Sequence, residues 1–547
     1  MKKNLMLLLS IIVLASCGQQ PDPTINPTVE PTAEPTVEPT VIPSEPAPTV
    51  EPTTQPTVIP SEPTPTVEPT TQPTVIPSEP TPTVDPTIEP TQDNTPEPTV
   101  EPSPEIEVST PYYKEKNITH YLGSDNDIYR INITTEGNAF PVDKENYVSG
   151  SLNVSEQDSS KILHEEMNMR IKLRGNSTFA ADKKPFKIKF DSKQSLFGLD
   201  KAKDWVLLAN YYDKSNIRNY LAYLMANKLD NLDFQPSSIF VDVYFNNEYI
   251  GLYLLCEQIE GKPGRADVED KMSADGVNSF LIEADERAKD EYAGFQGKCY
   301  VTSGGYDFAL KSPDADDYVE ALELAHSDNE EERTEANETL TQFVKDTTWL
   351  QQFLDKTSES IYSLNNYENY IDVDSFIDFY LVQEFFKNVD VGSTSQFYTI
   401  DQTDEVVKLK AGPVWDFDIA CGIVDSSRGN YYEYEYYDLW MRRRDYYCRA
   451  LFEDPLFHEK VSERYAEIRE DVVLSIFDEM ALALEILEKA QQRNIQRWPL
   501  TKERKTWVEQ YALSNSYLDI DSLEGHYDLV EDTLNDRLAI LDKEYLR

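Results

Sequence analysis

The pattern of apolar and polar positions changes character three times along the chain. A continuous apolar run from Leu5 to Ala15 follows Lys2 and Lys3. It is too short to span a bilayer comfortably and has the form of an export signal. Residues 19 to about 107 show no apolar period at all. Alternation then begins. Met167-Asn168-Met169-Arg170-Ile171-Lys172-Leu173-Arg174 and Pro185-Phe186-Lys187-Ile188-Lys189-Phe190 place apolar side chains at every second position, which predicts half-buried strands within residues 127–190. Gly175-Asn176-Ser177-Thr178 between them reads as a turn. Residues 213–228 have the 3.6 period of an amphipathic helix. Residues 239–257 read as a hairpin turning at Asn246-Asn247. Helices are predicted over 315–355 and 373–387, and a second hairpin over 396–400 and 406–415. From Pro455 to the end the sequence is helix-forming almost throughout. The order predicts an α+β fold with a β-rich first lobe and a mainly helical second lobe.

Composition separates the aperiodic stretch from the rest. The 547 residues carry 99 acidic and 50 basic side chains, a formal net charge of -49. Phosphate backbones would be repelled by such a surface, so nucleic acid is excluded as a general partner. Twenty-five of the 34 prolines lie between Pro21 and Pro104, and no Lys or Arg occurs between Lys3 and Lys114. Val-Ile-Pro-Ser-Glu-Pro starts at Val41, Val58 and Val75, an internal repeat of 17 residues. Frequent proline removes backbone donors and favours polyproline II, and uniform negative charge adds self-repulsion. The expectation is a disordered, low-complexity Pro/Thr/Glu-rich stalk reaching on the order of 250 Å at ~3.1 Å per residue. Its Thr-Pro content also permits O-glycosylation. The repeats carry too little apolar surface to stack as a solenoid.

The end of the apolar run, Leu14-Ala15-Ser16-Cys17, resembles the lipobox of bacterial lipoproteins. That resemblance implies acylation, including palmitate-type chains, at the Cys17 thiol. The membrane would then be a partner through the lipid anchor. The chain would sit on the outer face of the cytoplasmic membrane or otherwise on the cell surface. The expected divisions are a signal over 1–16, a lipid-anchored linker over 17–108 and a globular domain over 109–547. Within that domain, Cys256, Cys299, Cys421 and Cys448 permit two disulfides or four buried thiols. The five scattered histidines argue against a His-based zinc site.

Three groups of residues could carry chemistry. Arg174, Lys183, Lys184, Lys187 and Lys189 crowd two strands and their connection, a cationic face that suits an anion such as a phosphate chain or an exposed sheet face. Glu257 closes an apolar strand. It needs a cation if buried, one of these lysines being a candidate, or it lies at a surface strand end. Asp390 follows an amphipathic helix, and Asp416-Phe417-Asp418 ends the apolar strand 412–415. Carboxylates at such ends suit a divalent cation or the positioning of a hydroxyl, or they cap the following turns. Tyr431-Tyr432-Glu433-Tyr434-Glu435-Tyr436-Tyr437 and Trp440 could stack on sugars of a cell-wall polymer or pack as a lid.

Several segments together resemble the CotH (spore coat protein H) kinase family. They are Arg174-Gly175-Asn176-Ser177-Thr178, Lys184 to Phe190, Asp204-Trp205-Val206-Leu207-Leu208-Ala209-Asn210, Ile217-Arg218-Asn219, Gly251-Leu252-Tyr253, Lys387-Asn388-Val389-Asp390 and Gly412-Pro413-Val414-Trp415-Asp416-Phe417-Asp418. They come in the family's order over about 145–470, with a helical part over 455–547. The resemblance implies an atypical protein-kinase-like two-lobe fold, binding of ATP with Mg²⁺ or Mn²⁺, and phosphorylation of Ser on a protein substrate, Ser-rich and basic. It implies that Lys187 or Lys189 contacts ATP phosphates with Glu257 as ion-pair partner, and that Arg174 and Lys184 belong to the same phosphate side. Asp390 takes the role of orienting the acceptor hydroxyl. Asp416 holds the metal as the first Asp of a DFG-like motif, assisted by Asp418. Where family members have an Asn as second metal ligand, this chain offers Gln396 or Ser395. The alternative on the same fold is a non-catalytic surface module for binding or assembly.

Overall fold

The computed structural model describes residues 121–425 and 438–546. The signal, Cys17, the proline-rich linker and Tyr431–Tyr437 lie outside the described residues. The chain divides into two units, residues 1–102 and 103–547, and the fold described below belongs to the second.

The alternating segments become a closed barrel. Its strands are β1 (Arg130–Thr135), β2 (Val148–Ser155), β3 (Ile162–Leu173), β4 (Phe186–Gln194), β5 (Ala202–Leu208), β6 (Ser238–Phe245) and β7 (Glu248–Glu257), with helix α1 (Arg218–Asn227) between β5 and β6. The order around the barrel is β1-β2-β3-β4-β5-β7-β6. Every neighbour pair is antiparallel except β6 against β1, which closes the ring in parallel. On β4 the strand period is obeyed: Phe186, Ile188 and Phe190 are buried, while Lys187 and Lys189 stand on the outer face. The hairpin β6–β7 turns where expected. Asn246 and Asn247 take φ of 50° and 66°, the left-handed pair a two-residue hairpin loop requires.

The chain then builds a five-stranded sheet that the hydropathy pattern did not announce. Its strands are β8 (Phe280–Ala284), β9 (Tyr300–Ser303), β10 (Tyr306–Ser312), β11 (Gln396–Ile400) and β12 (Lys410–Ala411), ordered β12-β11-β8-β10-β9. All five residues of β8 are buried, so its sequence has no alternation to read. The second predicted hairpin exists as β11–β12, but β12 is only two residues long and Pro413, which has no N–H to give a ladder, follows directly after Gly412.

Helices α2 (Ala288–Glu291), α3 (Ala315–Leu324) and α4 (Glu330–Ser363) flank this sheet, and α5 (Val373–Phe385) leads into β11. Helix α5 is buried on nearly every side, which fits its apolar composition. The C-terminal part is helical: α6 (Trp440–Arg444), α7 (Tyr446–Leu451), α8 (Pro455–Ile468), α9 (Ser475–Arg497), α10 (Trp507–Tyr511), α11 (Asn515–Asp519) and α12 (Leu523–Tyr545). Helix α9 buries Ile476, Met480, Ala483, Leu487 and Ala490 at helical spacing. A β-rich N-terminal region and a helical C-terminal region are thus both present. The four cysteines of the domain are buried free thiols. Among the described residues no helix is long and apolar enough to cross a membrane.

Candidate active site

The C-terminal end of α5 and the segment after β12 meet. Lys387 takes a left-handed conformation, φ 46°, and turns the chain out of α5 toward Asp390. The Asn388 side chain joins the two segments. Its Oδ1 accepts from the Asp390 N–H at 3.2 Å, and its Nδ2 donates to the Asp416 carbonyl at 3.3 Å. The Asp390 carbonyl accepts from the Ser393 and Thr394 backbone N–H groups and from Ser393 Oγ. Ser395 Oγ donates to Asp416 Oδ2 at 3.4 Å.

Helix α1 holds the other side of the site. The Phe417 N–H donates to Asn219 Oδ1 at 2.7 Å, and the Asp416 N–H to the Tyr223 hydroxyl at 3.4 Å. Arg218, fully buried, donates to Asp213 Oδ1 at 2.6 Å and to the carbonyls of Ala420 and Cys421 at 3.0 and 2.9 Å. The ring of Trp415 stacks on Tyr223 with centroids 5.5 Å apart. Arg218, Asn219 and Tyr223 are therefore the clamp that sets the backbone of 416–421. Asp416 itself sits at φ 65°, a conformation an L side chain takes only when its surroundings fix it.

This framework crowds three carboxylates. Asp418 is 7% exposed, and burial followed by the charges of Asp416 and Asp390 pushes its carboxyl well above the usual range. Asp390 is raised by burial and then by Asp416. Two guanidiniums work in the opposite direction: Arg174 lowers Asp418, and Arg287 lowers Asp390. Arg174 lies over the Trp415 ring at 5.5 Å. Arg287 pairs with Asp285 at 2.8 Å and donates to Thr394 Oγ1, so it also braces the loop that follows Asp390. Asp285 and Arg287 were not singled out in the sequence. The signal available was an Asp-Glu-Arg triplet directly after an apolar strand, which alone resembles any charged loop.

The remaining expected residues are placed elsewhere. Glu257 is 4% exposed and pairs with Arg265 at 2.7 Å while accepting from the Ser237 N–H. The expected pairing with a β4 lysine is corrected: Lys187 and Lys189 project from the outer face of the barrel, and the cation on Glu257 comes from the loop after β7. Lys187 pairs with Asp204 at 3.4 Å. It lines, with Lys189, Lys262, Lys311 and Asp314, a cavity of about 750 Å³ whose lining does not include Asp390, Asp416 or Asp418. Lys184 donates to the Phe179 carbonyl at 2.8 Å and secures the turn after Arg174. Gln396 spends both ends of its amide inside the protein, accepting from the Gly392 N–H and donating to Asp445 Oδ2 at 3.0 Å. Of the two residues offered in place of an Asn ligand, Ser395 is the one beside Asp416. Trp440 is buried at the start of α6, its backbone N–H donating to Glu384 Oε1, which makes it a packing residue.

A family model described as CotH kinase protein matches residues 171–538. The chain belongs to the CotH kinase family. No curated protein matches the chain. The CotH match begins within β3 and ends within α12, so it contains the barrel from β4 onward, the acid loop and most of the helical region. Among the described residues no three His, Cys, Asp or Glu side chains form a ready-made metal centre. The donor chemistry still fits a hard cation, because oxygen ligands crowd here and their charge is only partly offset. Magnesium is commonly held by one or two carboxylates with water and phosphate oxygens completing the shell.

Proposed function

We propose that this CotH kinase domain transfers the γ-phosphoryl group of ATP to a Ser hydroxyl of a protein. The observation that carries the reading is the joining of the Asp390 loop to Asp416 within a family of kinases. Asp416 and Asp418 would hold Mg²⁺ or Mn²⁺, with Ser395 beside them. A bound divalent cation would supply charge neutralisation on the phosphate oxygens. Arg174, which lies over the Trp415 ring beside the acids, would take the phosphate-side role expected of the sheet lysines. Asp390 accepts a hydrogen bond from the acceptor hydroxyl and orients it for in-line attack. Arg287 fixes the loop that carries Asp390. An anchor at Cys17 and the proline-rich linker would present the domain at the cell surface, and its protein substrate would be encountered there.

The test is transfer of label from γ-labelled ATP to a Ser-rich basic protein by the full chain with Mg²⁺ or Mn²⁺. Asp416→Ala should lose at least ~10²-fold in rate. Equal labelling by this variant and the parent would overturn the assignment. ATP binding without transfer to any Ser-rich protein would support the binding-module reading instead.

A further inference from the structure

A second region of unbalanced charge lies outside the acid site. Lys183 and Lys214 both line a cavity of about 300 Å³ between residues 182–183, residues 210–216, the end of α9 and the segment that follows it. Lys183 is 3% exposed; its ammonium donates to the Leu252 carbonyl and lies 4.8 Å from the centre of the Tyr253 ring. Lys214 donates to the Tyr211 carbonyl at 2.8 Å and lies 4.1 Å from the centre of the Tyr211 ring. Asp182, Asp213 and Glu503 line the same cavity, and these and the other nearby acids have partners of their own. Asp213 is paired with Arg218 and Asp242 with Arg493. Asp182 and Glu503 share Lys505, and Glu509 caps the start of α10 on Thr506. The two ammoniums are therefore held by neutral acceptors and ring faces.

Three of the lining side chains, Lys183, Asn494 and Trp498, are seated against β7. Gly251 has φ 131°, and a Cβ there would come within 2.8 Å of Lys183 Cε, 2.9 Å of Trp498 Nε1 and 3.1 Å of Asn494 Oδ1. Its missing side chain lets all three settle on the strand. Asn494 Oδ1 accepts from the Leu252 N–H at 3.1 Å, and Trp498 Nε1 donates to the Ile250 carbonyl at 2.8 Å. An ammonium has three N–H donors, and each lysine gives one to a carbonyl, which leaves two on each for a ligand. Burial pushes Lys183 down to about 7 and Lys214 down to about 8. Holding two cations this way is costly unless an anion joins them.

We propose that this cavity binds a phosphate dianion, free or as a monoester, between Lys183 and Lys214. A bound dianion would hold both lysines in their ammonium form, and their remaining N–H groups match its terminal oxygens. The cavity's lining does not include Asp390, Asp416 or Asp418, and the proposal does not depend on phosphoryl transfer.

The experiment is calorimetric titration of the full chain at pH 7 with inorganic phosphate and, separately, with O-phosphoserine. Saturable binding of either is expected, and which of them binds assigns the free ion or the ester. Lys214→Gln should weaken binding at least ~10-fold, equivalent to about 1.4 kcal/mol. Asp416→Asn should leave it unchanged. Affinity should fall as pH rises from about 7 to 9, because the free ammoniums lose their protons over that range. A second measurement covers variants that fold poorly: in the parent chain, phosphate should protect Lys214 from acetylation, read by mass spectrometry. Three results would each overturn the site: no saturable binding of either ligand up to ~10 mM, unchanged binding in Lys214→Gln, or loss of binding in Asp416→Asn.

Discussion

The acid loop and the lysine pocket are opposites that share one property. In the first, Asp390, Asp416 and Asp418 repel one another with only partial relief from Arg174 and Arg287. In the second, Lys183 and Lys214 sit near each other, and the acids that act on Lys183, Asp213 and Asp242, are each paired with an arginine. Asp213 acts on both regions, and it shows what a settled buried charge looks like. It holds Arg218 at 2.6 Å and accepts from Ser215 and the Arg218 N–H as well. The lesson is that matched charge fixes backbone, whereas charge left unmatched inside a well-packed framework marks where a ligand completes the balance.

Removing one member of the matched pair should have the largest effect. Arg218→Met leaves Asp213 buried without its cation and frees the carbonyls of Ala420 and Cys421. Breaking a buried pair in this way costs ~3–5 kcal/mol. Urea denaturation of the parent and variant measures it. The double variant Asp213→Leu with Arg218→Met should recover a large part of the loss. A single-variant loss below ~1 kcal/mol would mean that the pair is no support, and the contrast with the unmatched regions would fail.

The next effect tests the same neighbourhood through pH. His526 on α12 is 2% exposed and packs against Tyr517, with ring centroids 4.9 Å apart. Burial first, and the Arg218 charge second, push its imidazole down to about 4. Above about 6.5 the folded and unfolded states are both neutral at this residue, and below about 4 both are protonated. Between those limits only the unfolded chain binds the proton, so stability is lost as pH falls through the window. The full loss is ~3 kcal/mol. Parent minus His526→Phe, measured by urea denaturation from pH 7 to 4, should show this slope. A flat difference would mean that the imidazole is not held neutral.

How much of this was legible in the sequence depended on whether a signal was local. The alternation on β4 told which way Lys187 and Lys189 would face, and Asn246-Asn247 marked its turn. The acids were legible as residues at element ends. Closure of the barrel by β6 on β1 was not, because no local pattern records which distant strand supplies the missing ladder. Strands β8 to β10 were missed because β8 is buried throughout and lacks a period. Glu257 declared that it needed a cation but could not name Arg265, which comes from a loop. Gln396 looked available as a ligand because its two partners, Gly392 N–H and Asp445, are set by a turn and by α7. Lys183 and Gly251 were both visible, yet only the fold brings them together.

The smallest effect separates support from site most sharply. Asp418→Asn removes one of the three crowded carboxylates while keeping the shape of the side chain. The folded carboxyl is raised, so charging it as pH increases costs the folded state more than the unfolded one. The variant should therefore gain stability over the parent at pH 8, by about 1 kcal/mol, and the gain should shrink toward zero as pH falls to the point where both states of the parent are protonated. Mg-ATP binding by the same protein should weaken. A gain in stability with a loss of ligand is expected of an acid kept for a cation. A loss of stability at pH 8 would show instead that Asp418 is a matched structural acid like Asp213, and the metal role would then rest on Asp416 alone.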